Sequence, residues 1–266
     1  MSMMIGHGPF GRDPWGRFNF EPGAPEAVLY FEDSPRRVRV VFNGETVAES
    51  ARMRLLHETG RQPVYYFPVD AVRSELLEPT DHRTRCPHKG EASYASIRVG
   101  DRVARNAMWR YSDPIEGAPP LDGYVAFQWN GMDAWYEEDE EIFVHPRDPY
   151  HRVDVLASSR HVRVLAGDTL IAETRRPALL FETSLPVRCY IPREDIRMEL
   201  LEPSPTRTRC PYKGQTTGYW HVRAGDTEVE DAAWCYDEPL PAAGPVAGRI
   251  AFYSEKVRIE VDGRAL

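Results

Sequence analysis

The residues best placed to do chemistry are a thiol and the cations around it. Cys86 sits in the run Arg83-Thr84-Arg85-Cys86-Pro87-His88-Lys89-Gly90, which recurs as Arg207-Thr208-Arg209-Cys210-Pro211-Tyr212-Lys213-Gly214. Positive neighbours favour thiolate over thiol, and guanidinium groups clamp carboxylates or phosphates through paired hydrogen bonds. If Arg83 and Arg85 lie on a strand, their i, i+2 spacing sends both to one face. A structural role fits the same letters. Cys-Pro enforces an extended turn, the closing glycine follows backbone that other residues avoid, and a small thiol packs well.

A carboxylate and several aromatics complete the candidate set. Glu58, in Leu55-Leu56-His57-Glu58-Thr59, matches Glu182 in Leu179-Leu180-Phe181-Glu182-Thr183, and both segments read as half-buried. A buried carboxylate needs a partner. Arg83 or Lys89 is the natural one in the first case, and Arg207 or Lys213 in the second. Cys86, Lys89 and Glu58, with Cys210, Lys213 and Glu182, are therefore the expected catalytic groups, since thiol, amine and carboxylate together suit acid–base or nucleophilic work. The expected ligand contacts are Arg83, Arg85, Tyr66, Tyr94, Trp109 and Tyr111, with their counterparts Arg207, Arg209, Tyr190, Tyr219, Trp234 and Tyr236. The competing reading is a buried ion pair that only fixes the fold, among strand aromatics that only build a core.

The elements that must position these groups come in duplicate. An offset of 124, the distance from Cys86 to Cys210, aligns Arg36 to Gly90 with Arg160 to Gly214 without a gap. One inserted residue then makes the offset 125, pairing Tyr94 with Tyr219, Trp109 with Trp234, Tyr111 with Tyr236 and Phe127 with Phe252. So long a period means two globular domains, not a solenoid. The expected layout is an N-terminal extension over 1–26, a first domain over 27–136, a linker over 137–150 and a second domain over 151–266. The acidic run Glu137-Glu138-Asp139-Glu140-Glu141 reads as a solvated connector.

Within each copy the pattern alternates with period two, so the fold class is mainly β with little helix. Asn43-Gly44 suits a two-residue hairpin turn inside Arg37–Ala48, with Gly167-Asp168 in the same place in copy two, and Gly100-Asp101 suits another. Strands are expected over Val64–Phe67, Arg73–Leu77, Tyr94–Val99, Arg102–Trp109 and Tyr124–Trp129, with one helical turn after Pro68 and after Pro192. The 23 prolines agree with many strand ends and loops.

Composition narrows the function classes. A formal charge of −8 weighs against a surface that tracks nucleic-acid phosphates. The absence of any long apolar run weighs against a membrane span, and the start of the chain lacks the pattern of a secretory leader. A cytoplasmic protein is expected. The four cysteines form no C-x-x-C pair, and His57, His82, His88 and His161 have no histidine counterpart in the other copy. No duplicated metal site and no cofactor are expected. Cys189 and Cys235 align with Tyr65 and Arg110 and read as packing residues.

The segments Thr84-Arg85-Cys86-Pro87-His88-Lys89-Gly90, Asn106-Ala107-Met108-Trp109-Arg110-Tyr111 and Gly123-Tyr124-Val125-Ala126-Phe127 resemble the domain-of-unknown-function family 427 (DUF427), also labelled nucleotidyltransferase-like. The resemblance implies two tandem copies of a small β-tent domain, a class shared with certain zinc-binding exchange factors. This chain lacks the paired C-x-x-C ligands of such zinc sites. Copy two departs from the pattern at Thr216-Thr217-Gly218 and at Cys235. The leading expectation is a pocket near the Arg-Thr-Arg-Cys-Pro-x-Lys-Gly segment that binds a small anionic metabolite, with or without catalysis. The alternatives are a non-catalytic protein-interaction module and, through the family label alone, nucleotidyl transfer, which would need acidic metal ligands beside bound phosphates.

Overall fold

The computed structural model describes residues 3–19 and 27–266, which divide into two units, Met1–Pro149 and Tyr150–Leu266. Unit one contains β1 (Leu29–Ser34), β2 (Val38–Phe42), β3 (Glu45–Ser50), β4 (Met53–Glu58), β5 (Val64–Pro68), β6 (Leu77–Cys86), β7 (Gly90–Val99), β8 (Arg102–Arg110), β9 (Tyr124–Phe127), β10 (Ala134–Glu137) and β11 (Glu140–Ile142). They form a seven-stranded sheet, β1-β4-β5-β9-β8-β7-β6, and a four-stranded sheet, β11-β10-β2-β3. Neighbouring strands pair antiparallel throughout. The β2–β3 turn places Asn43 and Gly44 at positive φ, 49° and 78°, as a primed hairpin turn requires.

Alternation decides which side chains enter the core. Val38, Val40 and Phe42 leave the small sheet to meet Leu55, Tyr65, Phe67, Ile97 and Phe127 of the large one. The large sheet is also covered on its other face, where Leu56, Tyr66, Ala92, Tyr111, Leu121 and Ala126 form a second cluster. Strands buried on both faces read as unbroken apolar runs, which is why Leu55-Leu56 and Tyr65-Tyr66-Phe67 carry no polar alternation.

Unit two repeats this plan. Val153–Ala157, Ala178–Glu182, Arg188–Pro192, Arg249–Phe252, Thr227–Cys235, Gly218–Ala224 and Leu201–Ser204 are the successive strands of its large sheet, and its small sheet runs Thr169–Thr174, Val162–Ala166, Arg258–Val261, Arg264–Ala265. The chain is thus mainly β in two tandem copies. One difference follows from the inserted residue. In unit one β6 and β7 pair from Leu77 to Cys86 through a bulge, whereas in unit two Arg209–Cys210 and Gly214–Gln215 form a separate ribbon. An extra residue moves every following side chain to the opposite face, so the ladder breaks to keep Tyr219 inward. No helix among the described residues is long and apolar enough to cross a membrane.

Three expectations need correction. Arg73–Leu77 is not a strand: Ser74–Leu76 forms a 3-10 turn, which lets the adjacent Leu76 and Leu77 both pack on the core, as neighbouring strand residues would not. The strand from Tyr124 stops at Phe127, because Trp129–Gly131 turns so that Trp129 stacks on Trp135 at 4.5 Å. The acidic run is no simple connector. Glu137 is 5% exposed and accepts hydrogen bonds from the Tyr65 hydroxyl (2.7 Å) and the Arg147 amide (3.1 Å), while Glu138 and Asp139 turn β10 into β11. Within unit one the Gly60 amide donates to Met4 O and the Thr59 hydroxyl to Phe10 O.

Candidate functional site

The outer face of the large sheet in unit one holds a cavity of about 430 Å³. Strand periodicity brings its wall together. Leu56 and Glu58 share a face of β4, and Val64 and Tyr66 share a face of β5. Tyr94 on β7 lies directly opposite Trp109 on β8, and Tyr111 follows two residues later. Lys89 arrives from the β6–β7 turn, Arg61 and Gln62 from the β4–β5 turn, and Gln128 from the end of β9.

The charges in this wall are few and paired. Lys89 Nζ donates to Glu58 Oε2, and both side chains are 9% exposed. Arg61 Nε lies 3.2 Å from Glu58 Oε1 with its side chain largely in solvent. Two cations thus face one carboxylate. Lys89 Nζ also sits 5.8 Å from the centre of the Tyr111 ring, within cation–π range. Burial pushes the Tyr66 and Tyr111 phenols well above their ordinary range. The Tyr94 hydroxyl lies 2.9 Å from Thr84 Oγ1.

Unit two builds the same cluster and closes it differently. Lys213 Nζ donates to Glu182 Oε2 (2.5 Å), and the Glu182 Oε1 partner is His151 Nε2 (3.1 Å), whose ring stacks on Tyr212 at 3.7 Å. Burial alone would raise the Glu182 carboxyl. The His151 hydrogen bond and the Lys213 charge outweigh it and hold the carboxyl down to about 2. Tyr253 lies against Trp234 with ring centres 4.1 Å apart, and its hydroxyl meets that of Tyr219 at 2.9 Å. The Tyr190 hydroxyl is fully buried beside the Trp234 indole.

Of the residues singled out by sequence, the structure gathers Glu58, Lys89, Tyr66, Tyr94, Trp109 and Tyr111 around one cavity. Their counterparts Glu182, Lys213, Tyr190, Tyr219, Trp234 and Tyr236 also cluster. It does not bring Arg83 or Arg85 there. Both are exposed on the edge strand β6, and Arg83 donates to the carbonyls of Thr80 and His82. Arg207 repeats this with Ser204 and Thr206, and Arg209 donates to Gln215. The partner of Glu58 is Lys89, not Arg83. Cys86 is half-buried against the aromatic cluster and Cys210 is half-buried in the ribbon, while Cys86 is absent from the cavity wall. Cys189 and Cys235 pack in the unit-two core.

Arg61, Gln62 and Gln128 carry no copy-to-copy identity that would mark them in the sequence. Their counterparts are Leu185, Pro186 and Tyr253, so the signal was difference, not identity. A larger concavity, about 990 Å³, lies beside Arg52, Arg54, Asp33 and Asp70. Its charges already neutralise each other in exposed pairs, Arg52 with Asp70 and Arg54 with Asp33. It offers no convergent unsatisfied charge and is the weaker candidate. Among the described residues no three His, Cys, Asp or Glu side chains gather as a metal site would need.

Comparison with known proteins agrees with the duplication. The family model described as a domain of unknown function (DUF427), named NTP_transf_9, matches residues 30–138 and again 154–263. No curated protein matches the chain. The chain belongs to the DUF427 family, as a tandem of two copies.

Proposed function

We propose that the first copy of this tandem DUF427 chain binds a small monoanionic metabolite in the cavity between Lys89 and Trp109. The observation that carries this reading is the wall's composition: Lys89 and Arg61 against the single carboxylate of Glu58, on a floor of Tyr66, Tyr94, Trp109 and Tyr111. Among the described residues that gives the wall a surplus of one positive charge, carried by Arg61 at the mouth of a largely aromatic concavity, where a charge-assisted hydrogen bond to a bound anion can form. The volume suits a ligand at the small end of the usual range of about 300–1,000 Å³.

Arg61 is the group free to adapt. Lys89 is committed to Glu58, whereas the Arg61 side chain is 71% exposed and retains donors beyond its contact with Glu58. Thermal-shift measurements of the full chain with a panel of small monocarboxylates and phosphate diesters test the reading. At least one monoanion should raise the melting temperature of the wild type, and Arg61→Gln, which removes a cation without touching the core, should weaken that shift about tenfold in ligand concentration. A panel in which no anion shifts the melting temperature would overturn it.

A further inference from the structure

The two copies differ where a ligand would lie. Tyr253 occupies the place of Gln128: the Tyr253 amide donates to Ala232 O as the Gln128 amide donates to Ala107 O, one repeat apart. The Tyr253 ring leans on Trp234 at 4.1 Å and 35°, and its hydroxyl engages Tyr219, which also holds Thr208. Arg188 lies 5.8 Å from the Trp234 ring centre and 5.6 Å from that of Tyr253, anchored by Glu255 at 2.7 Å. Trp234 and Tyr219 are accordingly 6% and 4% exposed. In copy one the same pair, Trp109 and Tyr94, is only half-buried, Val64 stands where Arg188 would, and Gln128 is exposed.

We propose that copy one receives, from outside, the ring that copy two supplies itself. Resting on the anion-binding reading above, this makes the ligand a planar aromatic acid. Its ring lies on Trp109 as the Tyr253 ring lies on Trp234. A hydrogen-bonding substituent meets the Tyr94 hydroxyl as the Tyr253 hydroxyl meets that of Tyr219, and its carboxylate faces Arg61 and Lys89. Copy two is the self-filled form of the same site. The Tyr94 hydroxyl has the capacity for this, since a phenol that meets Thr84 among the described residues can both donate and accept, as Tyr219 demonstrates with two partners.

Calorimetric titration of the full chain with para-hydroxybenzoate and with its ring-saturated analogue, hydroxycyclohexanecarboxylate, separates ring recognition from anion recognition. The aromatic probe should bind one site per chain and bind about tenfold tighter than the saturated one, the scale expected of a stacking contact. Gln128→Tyr, which gives copy one the ring of copy two, should abolish binding without lowering the melting temperature. Trp109→Leu provides a second route should that variant misfold, and it should erase the preference between probes while weak binding of both persists. Equal affinity for the two probes, or unchanged binding in Gln128→Tyr, would overturn the ring inference and leave the anion reading standing. Failure of both probes while another anion binds would do the same. Failure of every anion would remove both.

Discussion

At the scale of single residues the buried pair Glu58–Lys89 is the clearest commitment in the molecule. Both groups leave water, so their attraction is offset by desolvation, and removing one partner strands the other. Glu58→Ala should therefore destabilise unit one by about 3 kcal/mol, and Glu58→Leu combined with Lys89→Met by clearly less, measured as urea midpoints. The counterpart in unit two makes a statement about pH. Glu182 is held down to about 2 against an ordinary 4.5, so its contribution to stability is complete above pH 4.5 and is lost as the pH falls through the folded value near 2. Glu182→Gln should flatten the acid limb of unit two's unfolding curve in that window, at a neutral-pH cost on the order of 3 kcal/mol before any new hydrogen bonds. The identity between copies made Glu58, Lys89 and their aromatic neighbours legible in the sequence. Arg83 and Arg85 shared that identity without joining the cavity, because a strand-edge position holds both letters and exposure at once.

At the scale of elements, the β6–β7 turn links the family motif to the site. Gly90 has φ +103°, and a Cβ there would come within 3.3 Å of Asp113 O and Ile115 Cγ2. Gly214 has nearly the same φ, +97°, but its added Cβ would find neighbours only at 3.6 Å. Gly90→Ala should thus cost more than Gly214→Ala, both within about 1–3 kcal/mol for a strained backbone, and it should displace Lys89 from Glu58. Circular dichroism melts of the two variants check the order. Alternating strands such as Val38–Phe42 were legible because one face meets the core and the other meets solvent. β4 was not, because both of its faces are covered and periodicity vanishes. The β10–β11 hairpin was hidden for a different reason: its acidic letters look solvated until Tyr65 and Arg147 are seen to satisfy Glu137.

At the scale of the whole molecule, duplication has produced one fold with two fates for the same face. Copy one keeps Trp109 and Tyr94 half-open beside Lys89 and Arg61, and copy two covers the equivalent pair with Tyr253 and ties its carboxylate to both Lys213 and His151. The repeat itself was plain in the sequence. The divergence was not, because Gln128 against Tyr253 looks like an ordinary surface change until the rings are placed. The most direct test is the indole N–H spectrum of the full chain during titration with para-hydroxybenzoate, with signals assigned through Trp109→Phe and Trp234→Phe. The account predicts a saturable shift of the Trp109 signal and a stationary Trp234 signal. A saturable shift at Trp234, or none at Trp109, would contradict it.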